Sequence, residues 1–185
     1  INAQGAGGAV EIATETPIAE NITLPIQMSL RPYRAWITPE FAPGFGITGN
    51  FSGPFPSPVM ISLSGIKLSN AKVALYASSS TDVTFDISKM VVVSTSNTAA
   101  GIDIDLSGSG NQTVRISENQ LDVATPGIFD AAINVAVHGV SASTAVEIAY
   151  NQIRAAAPGS GWGIVAETGG GATSEFRIVA NKVNG

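Results

Sequence analysis

The chain repeats one short phrase at a spacing near thirty residues, and this constrains its fold more than any other feature. "TVRISENQLDV" begins at Thr113, "AVEIAYNQIRA" at Ala145 and "EFRIVANKVNG" at Glu175. The shared pattern is apolar, x, apolar, x, x, Asn, x, apolar. It is filled by Val114, Ile116, Asn119 and Leu121, then by Val146, Ile148, Asn151 and Ile153, then by Phe176, Ile178, Asn181 and Val183. Two looser copies lie upstream. Val83, Phe85, Ser88 and Met90 carry Ser for Asn, and Ile61, Leu63, Ile66 and Leu68 have no polar residue.

Each repeat also holds a strand-like stretch ahead of the template: "KVALYA" (72–77), "GIDIDL" (101–106), "INVAVH" (133–138) and "WGIVAE" (162–167). A third follows the Asn, as in "MVVVS", "QLDVA", "QIRAA" and "KVN". The alternation has period two, the mark of a strand with one buried face. A unit with three short strands cannot bury its own apolar face, but a stack of such units can, at about 4.8 Å per layer. The expected fold is therefore all-β, a solenoid of parallel strands with about six coils and three short strands per coil. Asn suits the turn because it tolerates left-handed backbone angles and its amide can bond its equivalent one coil away. Asn119, Asn151 and Asn181 are expected to form a ladder.

The V/I-x-I-x-x-N-x-I/L pattern, with its "GI-x-I" strand, resembles the right-handed parallel β-helix of the pectate-lyase-like superfamily. The resemblance covers residues 59–185. Residues 1–58 are an atypical N-terminal part of the same single domain. The superfamily includes polysaccharide lyases, glycoside hydrolases, epimerases, phage tailspikes and adhesins. It implies an architecture, and a substrate lying along one parallel sheet where the member is an enzyme.

Stacking lets the outward rows be read from the sequence. Thr84, Arg115, Glu147 and Arg177 fall in one row as an expected ion ladder, and Asp122 should pair with Arg154. Such surface pairs are worth at most about 1 kcal/mol each. On the strand ahead of the template the outward residues are Ala74 and Tyr76, Asp103 and Asp105, Asn134, Ala136 and His138, then Val165 and Glu167. Asp103, Asp105, His138 and Glu167 are thus the candidate catalytic residues. Asp105 and Glu167 stand two layers apart, about 9.6 Å between strands, a spacing compatible with the paired carboxylates of an inverting glycosidase. The Gly-His-Gly and Arg-Ile-Lys motifs of the resembled hydrolases are incomplete in "VHGV" (137–140), "VRIS" (114–117) and "FRIV" (176–179). Asp103 and Asp105 are the one candidate calcium site, with two carboxylates against the six to eight oxygens that calcium takes. No other cofactor is expected.

Residues 32–58 hold six of the ten Pro and the rings Tyr33, Trp36, Phe41, Phe45, Phe51 and Phe55. That density of Pro and Gly reads as a loop. Its rings are expected to cap the first coil, or alternatively to stack on sugar faces as a carbohydrate-binding platform. Short strands are expected at 9–13, 21–24 and 28–31, together making the first coil. The phrase "NKVNG" leaves the last coil open, so further chain, another domain or a subunit is expected to cover it.

Composition narrows the function classes. The net charge of −5 argues against a nucleic-acid partner. The absence of Cys excludes disulfides and Cys-based metal or nucleophilic sites. No apolar run reaches the eighteen or so residues of a membrane span, so insertion in a membrane is not expected. The chain opens on Ile1 without a basic segment and apolar run, and reads as a processed or excised piece. "NIT" (21–23), "NFS" (50–52) and "NQT" (111–113) fit the N-glycosylation acceptor pattern. Charged residues are only 12% of the chain, which suits an extracellular protein or one at a cell or virion surface. The sequence thus points to a structural scaffold module with polysaccharide as its partner. The alternative is a polysaccharide lyase or glycoside hydrolase, or a fragment of one, with an acidic site on one sheet.

Overall fold

The computed structural model describes residues 8–14, 16–94, 101–123, 131–139, 143–155, 162–171 and 173–184. Among them are eighteen strands, numbered here in chain order, and no helix. All strand pairs are parallel and form three sheets. The first sheet holds seven strands: β1 (Gly8–Ile12), β3 (Met28–Pro32), β5 (Val59–Ser64), β8 (Val83–Ser88), β11 (Gln112–Ser117), β14 (Thr144–Ala149) and β17 (Ser174–Val179). The second holds β2 (Ile22–Thr23), β4 (Ile47–Ser52), β7 (Val73–Ser78), β10 (Ile102–Ser107), β13 (Ala131–His138) and β16 (Trp162–Thr168). The third holds β6 (Lys67–Ser69), β9 (Val91–Ser94), β12 (Gln120–Val123), β15 (Gln152–Ala155) and β18 (Lys182–Asn184).

The chain runs from first to third to second sheet and begins again one layer further on. The result is a parallel β-solenoid of about five turns, three strands to a turn. It has fewer full turns than the expected six because the early coils replace a third-sheet strand by single bridges, Ile18 to Phe41 and Glu40 to Lys67. Alternating residues fill the interior. Ile61 and Leu63, Phe85 and Ile87, Val114 and Ile116, and Val146 and Ile148 line the first sheet's inner face, each at most 2% exposed. Ile102, Ile104 and Leu106 and their neighbours line the second, and Leu68, Val92, Leu121 and Ile153 the third. Each such side chain contributes about 1.5–3 kcal/mol when fully buried.

The register corrects one reading of the repeat. Val114 pairs with Phe85, not Val83, and Ile116 with Ile87. Met90 therefore occupies the Asn position of that coil, and its backbone N–H donates to Asn119 Oδ1 at 2.9 Å. Ser88 is a strand residue facing Ser117. The outward row then runs Ser62, Asp86, Arg115, Glu147, Arg177, with Asp86 in the place expected for Thr84.

The Asn ladder is present, but for one of the two expected reasons. The left-handed residue of each turn is the one before the Asn: Glu118 (φ 58), Tyr150 (φ 59) and Ala180 (φ 53), continued upstream by Lys89 (φ 55) and Gly65 (φ 66). The Asn supplies the amide. Asn119 Nδ2 donates to Asn151 Oδ1 (2.9 Å) and to the Ile87 carbonyl (3.0 Å), while the Asn119 backbone N–H donates to the same Asn151 Oδ1 (3.0 Å). Asn151 repeats the set with Asn181 Oδ1 and the Ile116 carbonyl, at 2.9 Å in each case. Asn119 and Asn151 are buried with every amide hydrogen and oxygen used, the condition under which buried polar groups stabilise.

The N-terminal part departs from expectation twice. The three short strands near 9–13, 21–24 and 28–31 exist as β1, β2 and β3, but β1 and β3 pair directly and so belong to successive coils. Residues 32–58 are not all loop, since β4 pairs along its whole length with β7.

Candidate functional site

The second sheet gathers the four acidic-face candidates. Register sets Asp103 between Ala74 and Asn134, and Asp105 between Tyr76 and Ala136. Glu167 lies beside Ala136, and His138 beside Ser107. Together with Tyr76 they line one shallow, open hollow on the outer face of β7, β10, β13 and β16.

The carboxylates are not equivalent. Asp103 is engaged on both oxygens: Lys72 Nζ lies 2.9 Å from Oδ2, and Asn134 Nδ2 donates to Oδ1 at 3.1 Å. Lys72 stands just before β7, at the rim, and the sequence offered no sign that it would reach across a layer. Asp105 is different. His138 Nε2 is 3.9 Å from its Oδ1, beyond hydrogen-bond reach, and that oxygen is buried without a hydrogen-bond partner. Glu167 is exposed. Among the described residues no three His, Asp or Glu side chains converge as a metal shell, and Asp103 already has its counter-charge. The hollow can hydrogen-bond hydroxyls through Asp105, Asn134, His138 and Glu167, with the Tyr76 ring at its edge.

The six rings of residues 32–58 separate into three groups. Phe41 and Phe51 are core residues, and Phe51 packs on Phe85 with ring centroids 5.6 Å apart. Phe45 and Phe55 are half-buried against the core. Only Tyr33 and Trp36 are exposed, at 52% and 75%. A six-ring platform is thus not assembled. Four rings fill or flank the core and two stand out. The Arg34 guanidinium lies 5.4 Å from the Tyr33 ring centre and 5.1 Å from that of Trp36, a cation–π arrangement that holds the two rings together.

Elsewhere the outer charges pair between consecutive coils. Arg31 meets Glu11 at 2.9 Å, Lys67 meets Glu40 at 2.9 Å, and Lys89 meets Glu118 at 3.9 Å. Arg154 meets Asp122 at 3.8 Å, as expected, and Arg177 meets Glu147 at 2.7 Å. The remaining link of the expected ladder is open, because Arg115 has no ion pair among the described residues. Glu40 shows the clearest electrostatic effect. The Lys67 ammonium, helped by the Ser69 hydroxyl, holds its carboxyl below the ordinary 4.5 against a smaller opposing effect of burial.

No family model matches the chain, and neither curated proteins nor solved structures include a significant match.

Proposed function

We propose that the chain is a rigid scaffold module of an extracellular or virion-surface β-helix, of the pectate-lyase-like kind, with polysaccharide as its ligand. The observation that carries this reading is how its cations are used. Of nine Lys and Arg, six bridge consecutive coils through ion pairs. The outer charges brace the stack rather than converge on a walled cleft. The exposed Tyr33 and Trp36 rings, fixed by Arg34, suit a sugar face through apolar contact.

A second reading, glycoside hydrolysis at Asp105 and Glu167, has one observation in its favour. The buried Asp105 Oδ1 has no hydrogen-bond partner, and His138 stands beside it. One experiment separates the two. The chain is offered a polysaccharide panel, with binding and release of reducing or unsaturated ends read in parallel. Binding without products, lost in Trp36→Ala and kept in Asp105→Asn, supports the scaffold reading. Product release abolished by Asp105→Asn replaces it with the enzyme. Silence in both channels removes the polysaccharide partner.

A further inference from the structure

The outer face of the first sheet contains an anomaly. Asp86 and Arg115 are direct register partners on neighbouring strands, yet no ion pair forms between them. Elsewhere on the outer faces, Arg177 with Glu147 and Arg154 with Asp122 do close. Nor does Arg115 take Glu147, its partner on the other side, which is held by Arg177. Two hollows meet at this open pair, the first lined by both Asp86 and Arg115 and the second by Arg115. One lies over β1, β3, β5 and β8 and is largely apolar, with Met60 at 57% exposure on its rim. The other lies over β11, β14 and β17, around Ala145.

These features are related by symmetry. Consider a two-fold axis in the plane of the face, parallel to the strands and midway between β8 and β11. It turns the solenoid axis end for end and keeps each residue's position along its strand. Strand β8 then faces β11 of a second copy, and β5 faces β14. Met60, Thr84, Thr113 and Ala145 share one outward row, and Ser62, Asp86, Arg115 and Glu147 share the next. The operation therefore sets Asp86 against Arg115 of the second copy, twice. It sets Thr84 against Thr113, and the protruding Met60 over the small Ala145 in the opposite hollow.

We infer that the first-sheet face is an antiparallel homodimer interface, in which Asp86 pairs with Arg115 and Met60 seats over Ala145 of a second copy. The contact is isologous, and each residue pair occurs twice. The charges left open within one chain are closed between two, and the largest exposed apolar side chain on the face is covered. This goes beyond the proposed scaffold role and does not depend on it.

Disulfide trapping tests it directly, because the chain has no Cys of its own. Residues 60 and 145 of one chain are three strand spacings apart, about 14 Å, too far for an internal bond. Under mild oxidation Met60→Cys and Ala145→Cys should each give no covalent dimer alone, and their equimolar mixture should give one. Sedimentation gives a second readout. The wild type should be dimeric at micromolar concentration, with at least tenfold weaker association in Met60→Glu and in Arg115→Asp. Asp86→Arg combined with Arg115→Asp should restore it, since both facing pairs are reversed together. A monomeric wild type at 100 μM overturns the inference. So does a dimer indifferent to Met60→Glu, trapping by either single Cys variant alone, or an oligosaccharide found to occupy the Met60 hollow in the monomer.

Discussion

Replacing Asn151 by Leu tests how the coils are held together. The side chain is fully buried, and Leu has nearly its shape without its amide. Four hydrogen bonds disappear: Asn151 Nδ2 to the Ile116 carbonyl and to Asn181 Oδ1, and the Asn119 backbone and side-chain N–H groups to Asn151 Oδ1. Two buried donors, both on Asn119, lose their acceptor. Each unsatisfied buried donor costs about 1–3 kcal/mol, so the substitution should cost about 4 kcal/mol, a large part of the stability of a typical domain. Asn119→Leu gives the internal comparison. It leaves only one buried backbone donor, that of Met90, without an acceptor, because Asn119's own N–H still reaches Asn151. Its expected cost is about 2 kcal/mol. Urea unfolding followed by far-ultraviolet circular dichroism measures both. A loss under about 1 kcal/mol for Asn151→Leu, or a larger loss for Asn119→Leu than for Asn151→Leu, refutes the reasoning.

Three further outcomes follow from local geometry. Tyr150 is exposed and left-handed, so Tyr150→Gly should raise the unfolding free energy by about 0.5 kcal/mol, and Tyr150→Val should lower it by about 1–2 kcal/mol, because a β-branched side chain crowds that backbone. Gly108 has φ 122 and its missing Cβ would run into the Ser79 backbone, so Gly108→Ala should cost about 2 kcal/mol or more in the same assay. The folded-state pKa of Glu40 is lowered by Lys67, so its stabilising contribution is complete above the ordinary 4.5 and is lost as pH falls through the lowered value. Glu40→Gln should therefore flatten the acid limb of a stability–pH profile between pH 7 and the acid transition, and an unchanged limb would contradict this.

Much of this architecture is legible in the sequence because period-two alternation and a buried amide both leave strong marks. Val114, Ile116 and Asn119 announce strand, strand and turn, and the register of coils 114, 146 and 176 follows directly. The upstream coil carries a weaker mark. Met90 fills the amide position with an apolar side chain, and Ser88, a small polar residue two positions earlier, mimics the Asn of the pattern. The turn itself left a weaker mark, since its left-handed residue is Lys89, Glu118, Tyr150 or Ala180, types that do not advertise that conformation. Residues 47–52 are hidden as a strand among Pro and Gly, and only the burial of Ile47 and Phe51 reveals it. On the acidic face, alternation set Asp105, Ala136 and Glu167 in one row correctly. It could not show that Asp103 is neutralised by Lys72, because that contact depends on a long side chain reaching across a layer. Nor could it separate core rings from exposed ones within residues 32–58.

Buried asparagine amides lock successive parallel coils in register. Hydrogen exchange of the side-chain amides, resolved by nuclear magnetic resonance on the native chain, tests it most directly. The Nδ2 hydrogens of Asn119 and Asn151 should exchange only through global unfolding, as slowly as the backbone amides of β11 and β14. Exchange at the rate of exposed asparagine amides would contradict the stack.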